Sequence, residues 1–259
     1  MVKLIFLLCL VSSAISQFSK YSAYGSFMPE EGFNPVSTTT LWSWQGKTGK
    51  TLEVDSVTTW TDQGPTAYAA TQSTDQKKPL NASNNLDFDA DDYLTIASPA
   101  AGQNFGTGNF TISARFKKDD TGTIGMICGK YINTSNAYYL APSADDIVFF
   151  SEIGNVSVVH CTSVTTNNVL SDGVKFTVTL SVTRGGAGIF YLDGVPITTV
   201  TIANTTTDLA YSAAFSIGDR GSGSSAFFNG NIYWVQLDSG AKDATWALNF
   251  HNYLVANGY

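Results

Sequence analysis

Charge is what this chain has least of. Asp, Glu, Lys and Arg make up 14% of its 259 residues, against about 25% in ordinary globular domains. The 14 basic residues are scattered among 21 acidic ones, for a net charge of −7. That balance excludes counterion-driven binding to nucleic acid, which needs clustered Lys and Arg. Glutamate occurs only as Glu30, Glu31, Glu53 and Glu152, and histidine only as His160 and His251. With three cysteines as well, no four-ligand zinc set can be assembled at ordinary spacing. Long apolar runs are missing too. Leu4–Val11 is the longest, far short of the ~20 residues of a membrane-spanning helix. Ser, Thr, Asn and Gly fill the space that charge leaves, as they do on extracellular β proteins. An apolar fraction of 43% still supplies a sizeable core.

The first residues read as a leader. Met1-Val2-Lys3 is a positive start, Leu4–Val11 an apolar stretch and Ala14-Ile15-Ser16 a small-x-small cleavage site, so a signal peptide over 1–16 is expected. The mature protein is then secreted, extracellular or at a cell surface. Loss of Cys9 leaves Cys128 and Cys161. An even count in an oxidising compartment predicts one disulfide, the alternative being two buried thiols on separate strands. Asn-x-Ser/Thr sequons at Asn81, Asn109, Asn133, Asn155 and Asn204 are expected glycosylation sites.

Residues 17–40 carry Phe18, Tyr21, Tyr24, Phe27 and Phe33 with no helical period. They predict an extended aromatic arm, laid over its own domain or added as a strand to the edge of a neighbour. From Leu41 the pattern is β. Phe110, Ile112, Ala114 and Phe116 alternate with Thr111, Ser113 and Arg115, and Phe176, Val178, Leu180 and Val182 repeat the pattern. A two-residue period marks strands with one wet face. Asp193-Gly194 between apolar runs predicts a type I′ hairpin over 188–200. Further strands are expected over 213–217 and 231–237. The closing segment is helical: Trp246, Phe250, Tyr253 and Leu254 share one face, Asp243 can cap the start and Gly258 the end. No linker divides the mature chain.

Leu41 to Trp44, Trp60-Thr61-Asp62-Gln63-Gly64, Pro79, Phe88-Asp89-Ala90-Asp91-Asp92-Tyr93-Leu94, Phe110 to Phe116, Tyr191-Leu192-Asp193-Gly194 and Tyr253-Leu254 follow in order. Together they resemble the concanavalin A-like, laminin-G-like jelly roll of secreted surface proteins. The resemblance covers roughly residues 41–259. It implies one all-β domain, an antiparallel β-sandwich (jelly roll) with a short C-terminal helix. Ala90 stands where that family has glycine. The scaffold serves lectins, laminin-G modules, pentraxins and glucanases alike, so function has to be argued from a site.

Glycoside hydrolysis needs two opposed carboxylates. The Glu-x-Asp-x-(x)-Glu strand of the related glucanases begins at Glu53-Val54-Asp55 and finds Val57 and Thr58 where the second Glu belongs. No enzyme is expected, and His160 and His251 read as structural. Asp87, Asp89, Asp91 and Asp92 crowd one turn, with acidic pairs also at Asp119-Asp120 and Asp145-Asp146. Asp89, Asp91 and Asp92 are candidate calcium ligands, the alternative being an exposed acidic turn. Trp42, Trp44, Trp60, Trp234 and Trp246 read as core rather than sugar contacts. Two non-enzymatic functions remain. One is a structural subunit of a coat, matrix or filament, joined by the arm to itself or to other extracellular glycoproteins. The other is a lectin-like module that binds carbohydrate.

Overall fold

The computed structural model describes residues 29–89, 91–96, 105–119, 125–133, 136–143, 146–153, 156–162, 170–209, 213–219 and 226–259. The expected leader and residues 17–28 of the arm lie outside them. In chain order the strands are β1 (Thr40–Gln45), β2 (Lys50–Glu53), β3 (Ser56–Thr61), β4 (Ala69–Thr71), β5 (Leu80–Ala82), β6 (Asn85–Phe88), β7 (Leu94–Ile96), β8 (Phe110–Lys118), β9 (Cys128–Asn133), β10 (Asn136–Ser143), β11 (Asp146–Ile153), β12 (Val156–Thr162), β13 (Lys175–Val182), β14 (Ala187–Leu192), β15 (Val195–Thr201), β16 (Phe215–Ile217) and β17 (Gly230–Ser239); helix α1 (Ala244–Ala256) follows.

The pairings are antiparallel and form two layers. One runs β1-β17-β8-β13-β14-β15. The other runs β2-β3-β4-β7-β16-β9-β10-β11-β12. The β5–β6 hairpin turns the corner, since β5 touches β3 and β6 pairs with β17. The inward residues of both layers meet in one core. Trp44 of β1 stacks on Phe215 of β16 at 5.5 Å, and Phe110 of β8 lies 5.7 Å from Phe149 of β11. Each fully buried ring of this kind contributes roughly 1.5–3 kcal/mol by removal from water. Indole N–H groups inside need acceptors, and Trp44 and Trp60 find them in the Trp60 and Gln45 carbonyls, both at 3.1 Å.

The alternation expected in β8 and β13 is present, but their polar faces are not wet. Thr111, Ser113, Arg115, Thr177, Thr179 and Ser181 are all buried. Helix α1 and residues 30–40 lie over this outer face. The polar groups there are paired: Ser113 Oγ with Thr179 Oγ1 at 3.1 Å, and Gln236 Nε2 donating to the Pro35 carbonyl at 2.8 Å. A second apolar cluster of Tyr233, Trp234, Phe250, Leu254 and Tyr259 seals the helix to the sheet, with Phe33 and Val36 packed on it. Phe33 meets Trp246 and Tyr253 edge-on at 6.2 and 6.3 Å. The described part of the arm is therefore used within its own chain.

Local signals set the ends of α1. The Asp243 carboxylate accepts from the Trp246 N–H at 2.8 Å, and Gly258 takes a φ of 68° just past the last turn. Asp193 and Gly194 have φ of 50° and 81°, the positive pair of a type I′ turn. Gly194 is needed twice over, because a Cβ there would lie 2.7 Å from Leu248 Cα in the helix above. Among the described residues no helix is long and apolar enough to cross a membrane.

Candidate functional site

The outer face of the second layer is open where β3, β4 and β7 lie side by side. Trp60, Ala70, Leu94 and Ile96 point into the core, so the alternate residues point out. The register places Thr51, Thr59, Thr71 and Thr95 directly opposite one another across four strands. These hydroxyls form a row perpendicular to the strands, spaced by about 4.8 Å. Thr59, Thr71 and Thr95 of the row line a groove of about 630 Å³ together with Gln72 and Tyr93, and Thr51 continues the row beyond that lining. Gln72 is fixed by two bonds, Nε2 donating to the Tyr93 carbonyl at 3.3 Å and Oε1 accepting from the Thr74 N–H at 3.0 Å. Tyr93 is braced by the Phe227 ring at 6.5 Å and by Lys77 Nζ at 5.6 Å. At one end Lys78 Nζ bonds Glu53 Oε2 at 2.6 Å and Asp75 Oδ1 at 2.5 Å. Those two carboxylates raise the Lys78 pKa. Glu53, the start of the broken glucanase motif, is thus committed to an ion pair. The arrangement offers hydroxyls, one amide and a braced phenol, which suits hydrogen bonding to a polyhydroxylated ligand.

The acidic turn does not converge on a point. Asp89 and Asp91 are exposed, whereas Asp92 is buried with Oδ2 accepting from the Asp89 N–H at 2.8 Å. Among the described residues no group of three His, Cys, Asp or Glu side chains could hold a metal ion. Burial, then the nearby Asp89, Asp91 and Asp87 charges, push the Asp92 carboxyl up to about 7, against the partial offset of the Asp89 N–H. Asp92 closes its own turn.

The expected disulfide is not formed: Cys128 is a buried free thiol, its pKa raised by burial. The register explains why. Cys128 faces Leu140, Leu140 faces Phe149, and Phe149 faces Cys161. Three strand spacings are about 14 Å, twice the ~7 Å Cα separation that a disulfide tolerates. The alternative reading, thiols on separate strands, is the one Cys128 fits.

Of the sequons, Asn109 is exposed, its Oδ1 accepting from the Arg184 N–H at 2.8 Å. The Asn204 amide is bound in its own loop, Nδ2 donating to Thr207 Oγ1 at 3.0 Å. Asn81 Oδ1 is buried with no hydrogen-bond partner among the described residues. The Asn155 sequon and the Asn133 side chain lie outside what is described.

Residues 88–246 match the family model of the concanavalin A-like lectin/glucanases superfamily. The chain belongs to this superfamily. No curated protein matches it. Solved structures agree on the fold alone. Trypanosoma rangeli sialidase in complex with sialic acid is 15% identical with a TM-score of 0.59, over 94% of this chain and 38% of that one. The binding domain of Paraclostridial mosquitocidal protein 1 is 12% identical with a TM-score of 0.61, over 83% and 52%. Botulinum neurotoxin type C, whose cell entry depends on two ganglioside molecules, is 14% identical with a TM-score of 0.58, over 83% and 51%. The chain thus spans from about two fifths to about half the length of these structures.

Within this member of the superfamily the Trp60–Gly64 motif is architectural. Asp62 Oδ1 accepts from the Ser43 and Gly64 N–H groups, both at 2.6 Å, and Oδ2 from Thr66 Oγ1 at 3.0 Å. The chain also carries a polar cluster beneath α1. His251 Nδ1 is 3.0 Å from Thr177 Oγ1 and 3.4 Å from Asp193 Oδ1. Burial, helped by the Arg115 charge, lowers the His251 pKa to about 4. Thr177 and Asp193 approach the same ring nitrogen, so no proton can pass through the imidazole from one to the other. The cluster binds helix to sheet and is no catalytic triad.

Proposed function

We propose that this chain is a secreted, non-catalytic carbohydrate-binding module that holds a saccharide in the groove across β3, β4 and β7. The observation that carries the reading is the in-register hydroxyl row with Gln72 and Tyr93 beside it. Membership of a superfamily that includes lectins supports it, as do neighbours whose names record sialic acid and gangliosides. Among the described lining residues the one carboxylate, Glu53, is taken up by Lys78, which speaks against hydrolysis. The structural-subunit reading draws on the aromatic arm over 17–40, of which Phe33 and Val36 pack on the cluster under α1 and residues 17–28 lie outside the described residues. The leader-like start supports secretion, and Asn109, exposed at a loop, is the described sequon best placed to carry a glycan.

The test is a glycan array followed by calorimetry on the hits, with Thr71→Val and Tyr93→Ala as groove variants. Binding weakened about fivefold by Thr71→Val and at least as much by Tyr93→Ala, with melting temperature as the folding control, is the expected result. Saccharide binding that neither variant touches, or a sample that binds none, overturns the assignment.

A further inference from the structure

The shape and charge of the groove specify more than "a sugar". We infer that its ligand is an extended, uncharged polysaccharide chain lying across the strands, rather than a terminal or acidic sugar. The inference rests on the carbohydrate-binding reading above and assigns a ligand class to that same site.

Direction comes first. Hydroxyls at Thr51, Thr59, Thr71 and Thr95 sit on successive strands in one register row. Their spacing of about 4.8 Å is close to the advance of an extended pyranose chain per residue. From Thr51 to Thr95 the row covers three spacings, about 14 Å, room for three or four consecutive sugars. β-branched threonine has few χ1 choices on a strand, so the hydroxyls are held in place before the ligand arrives. The same register continues to Ser216 on β16. Its Oγ is buried and has no hydrogen-bond partner among the described residues. At the other end β2 is the last strand of the layer, paired with β3, and Thr51 is exposed. A chain can run out over this edge.

Charge decides the class. An acidic sugar needs a desolvated cation facing it. Among the described lining residues the cation is Lys78, 5% exposed and bonded by both Glu53 and Asp75. Lys77, the other lysine at this site, stands against Tyr93. Among the described residues, two lysines against two carboxylates leave no surplus positive charge to recognise a carboxylate or sulfate, and Glu53 and Asp75 are the outward face of Lys78, with side chains 60% and 82% exposed. The ligand class therefore differs from the sialic acid and gangliosides named for the structural neighbours.

The experiment is calorimetry on the full mature chain with neutral oligosaccharides of increasing length (xylo-, manno- and gluco-series), 3′-sialyllactose and oligogalacturonate. A neutral series should gain about fivefold in affinity per residue up to three or four sugars, the worth of one net hydrogen bond each, and then level off. Thr59→Val, Thr71→Val and Thr95→Val should each remove about one such step, with melting temperature as the folding control. Binding that is as tight for a monosaccharide as for a tetramer, or that prefers the acidic ligands, overturns the inference and leaves the carbohydrate-binding reading standing. Failure of every ligand overturns both.

Discussion

Asp92→Asn separates two incompatible accounts of the acidic turn. In the structure the Asp92 carboxyl is buried, accepts one N–H bond, and is pushed from an ordinary 3.8 up to about 7. An acid whose folded pKa is raised binds its proton more tightly folded than unfolded. Its stabilising contribution is full below pH 3.8 and is lost as pH rises to about 7. At about 1.4 kcal/mol per unit, the ionised side chain costs up to about 4 kcal/mol at pH 8. Asparagine keeps the acceptor for the Asp89 N–H and carries no charge. Its extra N–H₂ needs partners in a buried place, at a cost of about 1–3 kcal/mol. The variant should fall about 1–3 kcal/mol below the wild type near pH 4 and exceed it by roughly 1–3 kcal/mol at pH 8. Urea unfolding followed by tryptophan fluorescence at both pH values, with and without a calcium chelator, measures this. If Asp92 were a calcium ligand, the metal would hold it ionised. The variant would then be less stable at pH 8, and the chelator would lower wild-type stability and leave the variant unchanged. That pattern would refute a buried, protonated Asp92 that serves only its own turn.

Other outcomes are as specific. His251, held near 4 against an ordinary 6.5, is neutral when folded, so stability present above pH 6.5 should fall as pH drops toward 4, by up to about 3 kcal/mol; His251→Asn should flatten that slope in acid titrations of urea midpoints. Reductant should leave the melting temperature unchanged, and the Cys128 thiol should react with Ellman's reagent only on unfolding; a drop worth about 2–4 kcal/mol would mean a disulfide after all. Val54 stands at φ 55° and is 89% exposed; Val54→Gly should raise stability by about 0.5–1 kcal/mol, read from the urea midpoint, as the left-handed strain of about 1–2 kcal/mol outweighs the chain entropy of glycine.

What could be read from the residues was whatever depends on near neighbours. The alternation in 110–116 and 176–182 is β8 and β13, Asp193-Gly194 makes its turn, and Asp243 caps α1. Burial of the polar faces was missed although a signal existed: a helix with Trp246, Phe250 and Leu254 on one side must cover something, and the outer face of β8 and β13 was the available ground. The run β9 to β12 was not foreseen either. Asn136-Ala137-Tyr138-Tyr139-Leu140-Ala141-Pro142 lacks a clean alternation, and its place is set by partners on both sides.

The groove was invisible for a deeper reason. Thr51, Thr59, Thr71 and Thr95 come from four strands, and nothing in a composition rich in threonine distinguishes them. What aligns them is register, and register here depends on irregularities. The β2–β3 ladder shifts between Thr51 and Leu52, so that Thr58 is the extra residue and both Val57 and Trp60 reach the core. Remove that bulge and strict alternation would send one of those two apolar side chains to solvent, since a one-residue slip exchanges the faces of a strand. Burying both large side chains is worth several kcal/mol, more than the ladder bond a bulge gives up, at about 1 kcal/mol. The core therefore selects the bulge, and the hydroxyl row on the outer surface follows from it. Deleting Thr58 should accordingly destabilise the fold and break the row at Thr59, whereas Thr58→Ala, which leaves the chain count intact, should change neither by more than about 1 kcal/mol.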